Sequence, residues 1–220
     1  MRNARRHGAE RPQKEPMPPA TQALLITNVI VFLLQRAGML PFADALMLWP
    51  PTGAPSGGPG FQLWQLVTYG FLHDSNSFAH IFFNMLALFM FGSDLERLFG
   101  SRFFLQYYLV CVVSAAITHV VVTSWMGAPP VPTVGASGGV FGLLLAFGLF
   151  FPQRRVMLIF PPIPMPARVF VILYGALELV LGVTGTQSGV AHFAHLGGML
   201  GGFLMIQYRR GRFPFGRRQA

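Results

Sequence analysis

Charge is scarce in this chain. Only 10% of its 220 residues are Asp, Glu, Lys or Arg, and 53% are hydrophobic. An ordinary soluble domain carries roughly 25% charged residues, so the balance excludes a conventional water-exposed surface and points to a membrane protein. Acids are scarcer still: 7 Asp+Glu stand against 16 Lys+Arg, a net charge of +9. No nucleic-acid partner is expected, because the basic residues form short clusters between apolar runs and never one basic face. The single cysteine, Cys111, lies inside an apolar run. It excludes an intramolecular disulfide and a Cys-rich metal site, and it says nothing of the redox compartment. There is no HExxH of a zinc protease and no pair of intramembrane aspartates. Neither a heptad pattern nor an internal repeat of the transporter kind occurs. Nothing requires a metal or a cofactor, and none is expected.

What the chain has is long apolar segments. A membrane span needs about 20 mostly apolar residues, or somewhat fewer when buried among others. Six segments qualify, at 20–36, 79–97, 102–124, 137–152, 167–184 and 190–208. They predict an all-α membrane bundle over 20–208, flanked by a disordered basic tail at 1–19 and a second basic tail at 209–220. The first segment follows a basic start, as a signal peptide does, but no small-x-small cleavage site follows it, so it reads as a retained helix. The connection at 37–78 is long and rich in apolar and aromatic residues, including Trp49, Trp64 and Tyr69, and suits the membrane interface. Packing against its own protein is compatible with that.

Arginine sets orientation. Clusters occur at the N-terminus, at Arg97 and Arg102, at Arg154, Arg155 and Arg168, and at the C-terminus, whereas the intervening loops hold only Arg36. Six spans then place both termini and the even loops on the cytosolic side. The C-terminal cluster also suits anionic headgroups.

Polar groups inside a bilayer cost free energy, so each needs an explanation. Ser137 stands in Gly135-Ala136-Ser137-Gly138, where a loop becomes a helix whose first N–H groups are free to hold an oxyanion. The same glycines also suit plain helix packing, with Gly138 and Gly142 forming a small-residue face. His195 shares a face with Gly198 and Gly202, so the face that displays an imidazole also admits a neighbouring backbone. A structural histidine is the alternative, and His192, nearly one turn earlier, is a competitor. His80 and Asn84, four apart, present N–H donors from one face and are either oxyanion donors or interhelical glue. The three sets start spans four, six and two, and so all sit at the non-arginine end. A nucleophile, a base and two donors can therefore meet at one depth.

Four stretches carry a specific resemblance: HIFFNMLALFMFGSDLERLFG at 80–100, GASGGVFG at 135–142, AHFAHLGGMLGG at 191–202 and WQLVTYGFLH at 64–73. Across roughly 40–208 the sequence resembles a bacterial rhomboid protease. The resemblance implies a six-span rhomboid-like bundle and a multi-pass protein of the bacterial inner membrane. It implies Ser137 as nucleophile and His195 as general base, with His80, Asn84 and the Ser137 N–H as oxyanion hole. It places Phe141 against the catalytic histidine, with Gly135, Gly198 and Gly202 supporting the dyad. It implies a dyad with no acid member, and the only carboxylate near the starts of spans two, four and six is Asp74. Many members pair a Trp-Arg in the first loop with a glutamate late in span two; here the pair is Trp64-Gln65, with Glu96 in the glutamate position.

The remaining polar residues read as structural: Glu178 as a hydrogen-bond partner or part of a gating contact, His119 as interhelical, and His73 as structural or in contact with substrate. The expected activity is intramembrane serine proteolysis, with other membrane proteins as substrates and the lipid bilayer as surroundings. The alternative is an inactive rhomboid-like protein that holds membrane clients, which would be expected to lack Ser137 or His195. A transporter or channel is disfavoured by the absence of repeated charged spans. Span five is expected to be the loosest helix and the substrate gate. It opens on bulky residues (Val169 to Leu173), follows the Pro-rich FPPIPMP and precedes the loop TGTQSG.

Overall fold

Apolar runs uninterrupted by proline form helices, because a helix satisfies every backbone N–H and C=O within itself. The computed structural model describes residues 16–51, 58–127, 131–157, 162–185 and 191–211. It is mostly helical, with almost no strand. The elements are α1 (Pro19–Arg36), the short α2 (Ala43–Leu46) and α3 (Gln65–Thr68), a 3-10 turn (Tyr69–Phe71), α4 (Phe78–Phe99), α5 (Ser101–Trp125), α6 (Ser137–Phe150), β1 (Arg155–Met157), β2 (Pro164–Pro166), α7 (Ala167–Thr184) and α8 (His192–Arg209). The β1–β2 pair is a small antiparallel hairpin with Val156 opposite Met165. The long helices α1, α4, α5, α6, α7 and α8 fall on the six expected segments. Most of the expected tails (1–15 and 212–220), and the parts of FPPIPMP and TGTQSG at 160–161 and 186–189, lie outside the described residues.

Phe78–Phe99, Ser101–Trp125 and Ala167–Thr184 are long and apolar enough to cross a membrane. Ser137–Phe150 is apolar but shorter. In α1 and α8 the buried polar residues that the fold uses (Thr21 and Asn28; His192 and His195) lower the hydropathy.

Helix α5 is the hub. Its Phe104, Tyr107, Tyr108, Cys111, Val112, Ala115 and Ala116 are all buried, and its main neighbours are α8 and α6. Close approach is bought with glycine, since with no Cβ two backbones can touch. A Cβ on Gly198 would strike the Gly138 carbonyl, which locks α8 on α6. Gly197 and Gly201 face Thr118 and Ser114 of α5, and Gly202 faces Tyr107. The doubled glycines of α8 thus serve two partners.

The long first connection folds back on the bundle. Leu48 pairs with Thr133 in the loop before α6, the Tyr69 hydroxyl donates to the Val112 carbonyl at 2.9 Å, and Gln35 exchanges hydrogen bonds with the His73 backbone. Gln65 is fully buried. Its Oε1 accepts from Trp49 N–H at 3.1 Å, and its Nε2 donates to the carbonyls of Ala45 (3.2 Å) and Gly60 (2.9 Å). Neutral hydrogen bonds therefore anchor the loop, and a charged pair with Glu96 is not needed.

Glu96 has a different task. Its carboxylate accepts from Ala20 N–H (2.9 Å), from Thr21 N–H (2.6 Å) and Oγ1 (2.8 Å), and from Ser101 Oγ (2.6 Å). These backbone donors are unpaired N–H groups of the first turn of α1, where an anion is also favoured by the helix dipole. Glu96 thereby ties the starts of α1 and α5 to the end of α4. Glu96→Ala strands buried donors and should cost about 3 kcal/mol. Its thermal midpoint in detergent is expected to fall, with Glu96→Gln intermediate. Equal midpoints for all three proteins would deny Glu96 this role.

Candidate active site

The site is built where a glycine turns the chain into α6. Gly135 takes φ +135°, a conformation L side chains rarely adopt, and a Cβ there would also fall 2.9 Å from His80 Nε2. Its N–H donates to the Tyr69 carbonyl at 3.0 Å, so the first connection holds this turn. Ser137 is then the first residue of α6, and its N–H has no partner within the helix.

His195 lies one turn into α8, with Nε2 2.8 Å from Ser137 Oγ. Phe141, one turn after Ser137, stacks on its ring with centroids 4.1 Å apart and planes 5° from parallel. Gly198 makes this meeting possible through its contact with Gly138. Gly202 lies against Tyr107 and Cys111 of α5, away from the dyad.

Asp74 N–H donates to His80 Nδ1 at 3.3 Å. In the neutral ring that leaves the proton on Nε2, the nitrogen beside Gly135. Asn84 spends one amide hydrogen on the His80 carbonyl at 2.8 Å and keeps a second. Ser137, His195, His80 and Asn84 line one cavity of about 1470 Å³, which runs on between α4 (Ala87, Met90, Phe91) and α7 (Phe170, Tyr174). At the opposite end of the bundle, Arg154 pairs with Asp94 at 2.8 Å, and Arg209 lies over Phe103. The four residues and the arginines therefore mark opposite ends.

His73 is 1% exposed, which excludes substrate contact and leaves the structural reading. Its ring meets His80 edge-on at 5.1 Å. Burial, reinforced by His80, holds its pKa down at about 4, so it is neutral at physiological pH. His119 joins α5 to the loop before α6 through Thr133 Oγ1, 2.8 Å away.

One arrangement was not expected. Glu178 of α7 is buried, with Oε2 2.6 Å from His192 Nδ1 and 2.9 Å from His195 Nδ1. The contact with His192 is a hydrogen bond, while that with His195 is close but outside hydrogen-bond alignment. The expectation that no carboxylate approaches the dyad is thus corrected. Spans two, four and six start at this end, but span five finishes here, and considering starts alone overlooked it. The nitrogens and oxygen of Glu178, His192 and His195 lie within 4.8 Å of one another, a donor set of the type zinc accepts.

The Rhomboid domain family matches residues 60–212. The chain is 28% identical over 206 residues to RHOMBOID-like protein 12, mitochondrial, of Arabidopsis thaliana, which covers 87% of this chain and 59% of that protein. It is 33% identical over 142 residues to Rhomboid protease GluP of Bacillus subtilis, covering 64% of this chain and 25% of that protein. Putative rhomboid protease YdcA of the same bacterium is 30% identical over 187 residues, covering 80% of this chain and 86% of that protein. The chain thus spans less than two thirds of the length of the first two relatives.

Proposed function

Because the chain belongs to the rhomboid family, an integral membrane family with named proteases, we propose that it is an intramembrane serine endopeptidase that cuts other membrane proteins with Ser137 and His195. The 2.8 Å contact between Ser137 Oγ and His195 Nε2 carries this reading. Two residues 58 apart in sequence, on different helices, meet as a nucleophile and its base. His195 takes the Ser137 proton as Oγ attacks a peptide carbonyl. The developing oxyanion is received by the Ser137 N–H, His80 and Asn84. The acyl-enzyme is then hydrolysed by water entering from the end of the bundle away from the arginines. A helical substrate hides its carbonyls in its own hydrogen bonds, so it must unwind first, which favours substrates with Gly or Pro near the cut and small residues at it. The client-holding alternative has no need of a serine and a histidine in this register.

The test is incubation of purified protein with a labelled transmembrane substrate, together with a fluorophosphonate probe. Cleavage and labelling by wild type, both absent in Ser137→Ala, are expected. A folded wild type that neither cleaves nor labels would leave the client-holding reading. We place the protein in a bacterial inner membrane with six crossings and both termini in the cytosol. Reporter fusions at residues 5 and 215 should both read cytosol, and opposite sides would sink this orientation.

Substrate entry belongs beside α7. This helix packs on α6 and α8 and exposes Ile172, Leu173, Leu177, Val180 and Val183, and the cavity reaches the gap between it and α4. Phe170 lines that gap. Phe170→Ala should speed cleavage of a transmembrane substrate several-fold while leaving a short soluble peptide nearly unaffected. Equal effects on both substrates, or slower transmembrane cleavage by a folded variant, would remove α7 from the entry route.

A further inference from the structure

A carboxylate inside a membrane bundle is costly unless something uses or neutralises it. Glu178 is 7% exposed, His192 5% and His195 9%. They form a line of contacts that starts at the nucleophile: Ser137 Oγ to His195 Nε2 at 2.8 Å, His195 Nδ1 to Glu178 Oε2 at 2.9 Å, and Glu178 Oε2 to His192 Nδ1 at 2.6 Å. His195 Nδ1 has no aligned hydrogen-bond partner among the described residues, and the Glu178 carboxylate lies 2.9 Å from it.

From this line we infer that Glu178, held by His192, is a positioning residue for His195, setting its tautomer and its orientation toward Ser137. The inference rests on the proteolytic reading above and extends it. For Nε2 to take the Ser137 proton it must present a lone pair, so Nδ1 must carry hydrogen. The reverse tautomer would set the Nδ1 lone pair against a carboxylate oxygen, and Glu178 disfavours it. As Ser137 Oγ bonds to the carbonyl carbon, the carbonyl π pair moves to oxygen, the Oγ–H bond breaks and Nε2–H forms. His195 is then an imidazolium, with the Glu178 carboxylate 2.9 Å from its Nδ1. The proton next leaves with the amine as the C–N bond breaks. Glu178 remains ionised throughout.

His192 has a definite part in this. A lone glutamate on α7 could turn toward the cavity; the His192 Nδ1–H holds Oε2 on the His195 side. Phe141 fixes the ring plane from its other face. Three helices thereby immobilise one imidazole: α6 through Ser137 and Phe141, α7 through Glu178, and α8 through His195 and His192.

The competing role is a plain pin between α7 and α8. Glu178→Gln separates the two, since the amide keeps the shape and an acceptor for His192 but loses the charge. Relative to wild type it should lower kcat about 10²-fold, less than the roughly 10⁴-fold of an aligned acid–histidine bond, with KM nearly unchanged and fluorophosphonate labelling slowed in parallel. Glu178→Asp, which keeps the charge, should recover part of both losses. Should Glu178→Gln fail to fold, His192→Gln serves, with a smaller loss of kcat at unchanged KM. Wild-type kcat and labelling in folded Glu178→Gln, or in folded His192→Gln where that stands in, would reduce the contact to a pin. Loss of wild-type activity on chelation would make the trio a metal centre and overturn the proposal equally. A wild type that neither cleaves nor labels would instead fail the proteolytic reading itself.

Discussion

Ser137→Ala and His195→Ala should each abolish cleavage, with losses of roughly 10⁶ in kcat, and the double variant should lose little more than either single one. The non-additivity follows from the geometry. His195 Nε2 has Ser137 Oγ as its partner at 2.8 Å. Without the hydroxyl the base has no proton to take, and without the base the hydroxyl is a poor nucleophile at neutral pH. Neither change should unfold the protein, since alanine leaves the Gly138–Gly198 contact in place. The measurement is single-turnover cleavage of a labelled transmembrane substrate alongside fluorophosphonate labelling. Substantial cleavage by either folded single variant would refute the dyad.

His80→Ala and Asn84→Ala should each cost about 10²–10³ in kcat, the usual price of one oxyanion donor, and so leave residual activity that the dyad variants lack. The two residues are not equivalent. His80 is oriented by the Asp74 N–H, whereas one Asn84 amide hydrogen is spent on the His80 carbonyl and only the other is available to substrate. His80→Ala also removes the ring against which His73 packs, so its loss should include some stability. Asn84→Leu is the cleaner probe: it roughly keeps the size and removes the donor without adding a charge. Wild-type kcat in both alanine variants would leave His80 and Asn84 as interhelical glue.

Much of this was legible in the chain. The six helical segments followed from uninterrupted apolar runs, because length and hydropathy are local properties. The candidate site residues stood out for a related reason: a serine, three histidines or amides and flanking glycines are conspicuous where nearly everything else is apolar. That they could meet at one end of the bundle followed from the order of the helices, since α4, α6 and α8 all begin there. Glu96 was recognised as notable but left without a partner, since the start of α1, with its unpaired N–H groups, is 75 or more residues away in sequence. Gln65 was recognised as a departure, yet nothing local showed that three neutral hydrogen bonds would anchor the loop.

The sequence by itself determined an all-α membrane bundle, which segments become its helices, and the residue types able to perform acyl transfer. Those are consequences of composition and period, which act over one turn or one span. Tertiary structure alone decided which face of each helix meets which neighbour. It divided the doubled glycines of α8 between α6 and α5, turned Gly202 away from the dyad, buried His73, and brought the end of α7 to the start of α8. Side-chain contacts between helices depend on rotation about each axis, and that rotation is settled by the packing of all six together. For this reason the carboxylate beside His195, which no spacing rule announces, became visible only in the folded chain.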